Sequence, residues 1–223
     1  MASVSHLEIL KNRGFDPKTC IDIGAYMGMW AANWKTIFPK SKVLMIDPLD
    51  SVEPMLSSMA EKYPDDFAYE KALLWRSSGV MAPFYEMDTG SSIHEESSHF
   101  PRSRAMKRTE TLHGIIERHP EFRSPDFIKL DTQGSELSIL SEEREVVSRV
   151  RAVQIEASLV PVNKRCPLIG AVIAFMENRD FVLSDIFDEN RMNDGTLWQV
   201  DLIFVRRDSG LEGPSALTPE LWT

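Results

Sequence analysis

Short apolar runs alternate with helical stretches along most of this chain, and that rhythm constrains the fold more than any composition figure. "TCIDIG" (19–24), "KVLMID" (42–47), "FAYEKALLW" (67–75), "DFIKLD" (126–131) and "RAVQIEAS" (151–158) read as strands. "MWAANWKTIF" (29–38) and "SELSILSEEREVVSRV" (135–150) lie between them, with apolar residues near helical spacing. Strands separated by helices imply a parallel sheet covered on both faces. Near the end the rhythm changes. "DFVLSDIF" (180–187) and "LWQVDLIFVRR" (197–207) are separated only by "DENRMNDGT", which suits a hairpin and leaves no room for a crossover helix. The expected fold is α/β, a doubly wound, mostly parallel sheet finished by an antiparallel hairpin. A single domain is expected over 1–207, with an irregular loop at 86–108 on the ligand side of the sheet. The Gly-, Pro- and Ser-rich stretch 208–223 reads as a flexible tail.

Composition narrows the partners. The chain has 223 residues and a net charge of −9, a surface that repels phosphate backbones and disfavours broad nucleic-acid binding. No run approaches the length of a membrane span, and the N-terminal segment is broken by charges rather than built like a signal peptide. Cys20 and Cys166 stand far apart with no CxxC pair, which excludes a four-cysteine zinc site and suits reduced thiols in a cytoplasmic protein. No His, Asp or Glu cluster has metal-ligand spacing, so metal independence is expected.

The chemistry is concentrated in "CIDIGAYMGMW". Gly24 lets the chain turn sharply off the first strand and lets a ligand approach the backbone, and Gly28 leaves space where the next helix begins. The helix start presents free N–H groups, and Asp22 lies near the strand's carboxyl end, where open α/β sheets bind ligands. Glycines four apart also fit an ordinary strand-to-helix turn. Asp47, ending the second strand, adds a carboxylate suited to the two hydroxyls of a ribose, and together they point to an adenosine-containing cofactor. The second glycine of a GxGxxG pyrophosphate loop is replaced by Tyr26. That tilts the reading from NAD to S-adenosylmethionine, which has no phosphate. An NAD(P)-dependent oxidoreductase and a non-catalytic binding module on the same scaffold are the rival readings.

"CIDIGAYMGMW", "DFIKLDTQGSELSIL", "VQIEASLVP" and "FVLSDIFDENRMNDGTLWQVDLIFVRRD" together resemble the FkbM family of methyltransferases. The resemblance implies a class I methyltransferase fold, Rossmann-like, with seven strands and S-adenosylmethionine as cofactor, released as S-adenosylhomocysteine. It implies O-methyl transfer to a hydroxyl of a sugar, glycan or secondary metabolite. Carried onto this chain, Asp22, Ile23, Gly24, Ala25, Tyr26 and Gly28 would hold the methionine end. Asp47 would take the ribose with Pro48 beside it, and Lys71, Ala72 and Leu73 would flank the adenine.

Methyl transfer requires alignment of acceptor and methyl carbon, and a group to manage the acceptor's proton. Asp131 ends the fourth strand at the expected switch point and is the first candidate for that proton; Glu156, at the end of the fifth, is the second. Gln133 in the turn after Asp131 could hydrogen-bond cofactor or substrate. Glu136 reads instead as a helix cap. His94 is a third candidate base, with Ser91, Ser92, Arg102 and Arg104 as possible acceptor contacts. A loop histidine, a Gly-Ser turn and a solvated basic run explain these last residues equally well.

Overall fold

The computed structural model describes residues 5–214. Helix α1 (His6–Asn12) leads into β1 (Thr19–Ile23), α2 (Met29–Ile37), β2 (Lys42–Ile46), α3 (Glu53–Lys62) and β3 (Phe67–Glu70). A side branch follows: β4 (Leu73–Leu74), β5 (Met81–Glu86) and β6 (Ser103–Glu110). The chain returns through α4 (Leu112–Arg118), β7 (Phe127–Leu130), α5 (Glu136–Leu140), α6 (Arg144–Arg149) and β8 (Ala152–Ser158). It finishes with α7 (Ile169–Glu177), β9 (Phe181–Arg191) and β10 (Leu197–Arg206).

Seven strands form one sheet in the order β3-β2-β1-β7-β8-β10-β9. β1 pairs in parallel with β2 and β7, and β8 continues in parallel beside β7. β10 alone runs against its neighbours, antiparallel to both β8 and β9. The expected class I methyltransferase sheet with its closing hairpin is present. The order reverses between β1 and β7, and that switch point opens a crevice at the carboxyl ends of the strands.

Each strand sends alternate residues to opposite faces. Ile21, Ile23, Ile128, Leu130, Val153, Ile155 and Leu202 pack on one face with α4, α5, α6 and α7. The other face is covered by α1, α2 and α3, with Trp34 fully buried among Phe15, Phe38 and Phe127. Among the described residues no helix is long and apolar enough to cross a membrane.

Several local expectations are corrected. The run 67–75 is two strands, because the chain leaves the main sheet at Lys71 and Ala72 and Leu73–Leu74 pair with β6 instead. The stretch 86–108 is not irregular throughout. Residues 103–108 belong to β6, paired antiparallel with β5 from Glu86↔Ser103 to Met81↔Arg108. β6 is a small-sheet strand with Arg104 and Arg108 exposed and with Lys107 turned inward to the Pro48 carbonyl, so it carries no apolar signature. The helical run 135–150 is two helices, broken before Glu143, whose carboxylate accepts a hydrogen bond from the His113 amide (3.0 Å). A flexible tail does not begin at 208, since Leu211 is buried and Arg13 donates to its carbonyl (3.0 Å). The remainder of that tail, 215–223, lies outside the described residues.

Candidate active site

The turn after β1 is dictated by close approach. Gly24 has φ of 77°, and a Cβ there would lie 1.9 Å from the carbonyl oxygen of Asp131, so any side chain would drive β1 and β7 apart. The Gly24 and Ala25 amides both donate to the Ile46 carbonyl (2.9 and 3.2 Å), which fixes the turn against β2. Asp47 then binds it from the side. One carboxylate oxygen accepts from the Tyr26 amide (2.8 Å) and the other from the Leu49 amide (2.9 Å). Burial raises the Asp47 pKa, while the two amides oppose that shift.

These turns enclose a cavity of roughly 220 Å³ at the switch point. Ile23, Gly24, Ala25, Tyr26 and Trp30 form one wall; Asp47, Pro48 and Leu49 form the next. Ala72, Leu73, Leu74 and Phe84 make an apolar end, and Lys129, Asp131, Thr132 and Ser135 line the side toward β7. The turn Asp88–Ser91 covers part of the opening, with the Tyr26 hydroxyl donating to the Asp88 carboxylate.

Four of the residues expected at the cofactor do not line this cavity. Asp22 is fully buried beneath it. Gly28, at φ of 72°, serves packing: a Cβ would come within 3.1 Å of Leu56 on α3. Lys71 faces outward, paired with Asp50 (2.7 Å) and Glu53 (2.5 Å). Gln133 lies beyond Asp131, where its amide donates to Glu156 (2.5 Å) and Asp131 (3.3 Å).

What holds Asp22 is a residue the sequence reading missed. Lys129 stands opposite Asp22 in the β1–β7 register. Its ammonium donates to the Gly24 carbonyl (2.9 Å) and lies 3.2 Å from both Asp22 and Asp131. Burial works against the ammonium, but Asp131 and Asp22 outweigh it and hold the Lys129 pKa above its usual value. Burial raises the Asp22 carboxyl, with Lys129 opposing. A polar row continues across the same face. The Trp30 indole N–H donates to the Gln154 side-chain oxygen (3.1 Å), and the Gln154 amide donates to Asp201 (3.1 Å). Asp201 is pushed up to about 7 by burial and by Asp131. Desolvation and the neighbouring Asp131 also raise the Glu156 carboxyl well above its ordinary range. Glu136 does not cap the amides of its own helix as expected; it ties down the preceding turn, accepting from the Thr132 amide and hydroxyl (both 2.9 Å) and the Gly134 amide (3.1 Å).

The expected acceptor contacts disperse. Ser91 lines the cavity but is occupied within its own turn, accepting from the Met87 amide (2.8 Å) and donating to the Asp88 carbonyl (2.7 Å). Ser92 is buried and donates to the Gln133 carbonyl (2.9 Å). His94 stacks edge-on against Trp75, with its pKa lowered by burial, and is not in the cavity wall. Arg102 clamps its own loop, donating to the carbonyls of Glu96, Ser98 and Phe100. Arg104 lies exposed on β6 beside the Tyr85 ring. Among the described residues no group of three or more His, Cys, Asp or Glu side chains is placed to hold a metal ion.

The sequence profile of the Methyltransferase FkbM domain matches residues 22–183. In fold the chain is similar to magnesium protoporphyrin IX methyltransferase from Synechocystis PCC 6803 with bound SAM. Identity is 9%, coverage is 90% of this chain and 76% of that one, and the TM-score is 0.51. A protein from Listeria monocytogenes serotype 4b is similar at 10% identity, covering 98% of this chain and 73% of that one, with a TM-score of 0.50. Precorrin-6y C5,15-methyltransferase from Geobacter metallireducens GS-15 gives 9% identity, 93% and 92% coverage and a TM-score of 0.48. No curated protein sequence matches the chain.

Proposed function

The chain belongs to the FkbM methyltransferase family, and from that premise we propose that it transfers a methyl group from S-adenosylmethionine to a hydroxyl of a sugar, glycan or secondary metabolite. The observation that carries this reading is the single cavity shared by the Gly24 turn, Asp47 and Asp131 at the switch point. The residues suit the cofactor. Backbone of the Gly24–Tyr26 turn would hold the methionine end, Asp47 the ribose, and Ala72, Leu73 and Phe84 the adenine. When bound, the cofactor supplies an electrophilic methyl on a sulfonium and leaves as S-adenosylhomocysteine.

The chain's own task is to place the acceptor oxygen and receive its proton. Asp131 does both: it lines the cavity and is 37% exposed, with one side of its carboxylate fixed by Lys129. Glu156 stands behind it, joined through the Gln133 amide, as a second place for the proton. The acidic surface supports a small acceptor over a nucleic acid, and the two unpaired cysteines support a cytoplasmic setting.

Calorimetric titration with S-adenosylhomocysteine tests the cofactor, and micromolar binding is expected. No binding at millimolar ligand would reject it. A labelled-methyl screen over sugars, nucleotide-sugars and hydroxylated metabolites tests the acceptor. Label appearing only on nitrogen or carbon would reject O-methylation.

A further inference from the structure

Among the described residues, four charged side chains line the cavity: Asp47, Asp88, Asp131 and Lys129. Lys129 is the one cation, and it is fully engaged. Its ammonium donates to the Gly24 carbonyl and is shared between Asp22 and Asp131. Those three oxygens surround one ammonium, whose charge is thus already committed to the protein's own groups. The wall therefore presents three carboxylates against a single, already divided positive charge. Asp47 has each carboxylate oxygen bound by a backbone amide, whereas the Asp131 side chain stands more than a third exposed in the cavity wall, on the residue whose backbone oxygen closes off the Gly24 turn.

A site of this kind distinguishes ligands by charge. S-adenosylmethionine and S-adenosylhomocysteine share the adenosine and the amino-acid end. They differ by one methyl and one positive charge at sulfur. Contacts common to both cancel when the two affinities are compared, and the charge remains. We propose that Asp131, only partly answered by Lys129, makes this cavity selective for the sulfonium over the thioether, so that cofactor outcompetes spent product. The inference rests on the S-adenosylmethionine reading above. It adds a specificity role for Asp131 that is separable from proton transfer, because it is expressed in binding without an acceptor.

The test is calorimetry on the full chain with three ligands: S-adenosylmethionine, S-adenosylhomocysteine and sinefungin, a stable analogue bearing an ammonium in place of the methyl sulfonium. Both cationic ligands are expected to bind about fivefold or more tightly than S-adenosylhomocysteine. In Asp131→Asn the preference should fall to about twofold or less, through weaker cation binding and little change for the thioether. Asp131→Glu, which keeps the charge, should retain a preference above that of the Asn variant. Wild-type protein binding S-adenosylhomocysteine as tightly as the cations overturns the proposal and leaves the cofactor reading standing. So does an Asn variant with an unchanged ratio. Protein that binds none of the three overturns the cofactor reading and this proposal with it.

Discussion

The two faces of the main sheet are built from the same strands, and both bury an apolar core, but only one of them also buries charge. On the face toward α4–α7, β1, β7, β8 and β10 contribute Ile21, Ile23, Ile128, Leu130, Val153, Ile155, Leu202 and Phe204. On the other, beside the apolar Cys20, Phe127, Ala152, Ile203 and Val205, the same strands contribute the ion pair of Asp22 and Lys129 and, hydrogen-bonded to Trp30, Gln154 and Asp201. The first face is a hydrophobic core that any similar set of aliphatic side chains would supply. The second places paired charges where water is absent, an arrangement that seldom adds stability. The charged row lies directly under the cavity. The contrast teaches that one face is given wholly to cohesion while the other combines a core with the floor of the site.

The largest break comes from Lys129→Met. It strands Asp22 without its cation, and urea unfolding should show a loss of about 3–5 kcal/mol. Adding Asp22→Asn should recover most of it; a double variant as weak as the single one would show that the pair does not act as a unit. The next effect is a dependence on pH. Asp201 titrates near 7 in the fold against an ordinary value of 3.8, so folding favours its protonated form. That stability is fully present below about pH 4 and is lost as pH rises through 7. Asp201→Asn mimics the protonated side chain. It should match wild type in acid and exceed it by about 1–3 kcal/mol at pH 8. A constant difference across pH would contradict the assignment. The smallest effect is expected on the apolar face. Ile128→Val removes one methylene from a packed core and should cost about 0.5–1.5 kcal/mol at every pH.

Much of this was legible in the chain because it is local. The strand–helix alternation, the final hairpin, Gly24 and Asp47 each declare themselves within a few residues, and the structure gathers Gly24, Asp47 and Asp131 around one cavity. Lys129 was not legible as part of the site. Its meaning depends on Asp22, which is opposite it only through strand register, 107 residues earlier in the sequence. One signal was available: "FIKLD" places Lys129 on the same face as Phe127 and Asp131, and a lysine inside a central strand demands a partner. β6 was missed for the opposite reason. Arg104, Met106 and Arg108 face outward on a small sheet, so the strand is held by β5 rather than by burial of its own side chains. Arg102 shows why a basic run is poor evidence of a ligand, since its guanidinium is consumed by carbonyls of its own loop.

Trp30 gives this arrangement an optical consequence. Its indole forms part of the cavity wall, lies 5.9 Å from the Lys129 ammonium and donates its N–H to Gln154. Trp34, stacked behind it, is sealed from solvent and senses no ligand directly. An adenosyl group entering the cavity changes the surroundings of the first indole and not the second. The protein thus carries an intrinsic reporter of occupancy. Emission that shifts with ligand in wild type should become nearly silent in Trp30→Phe.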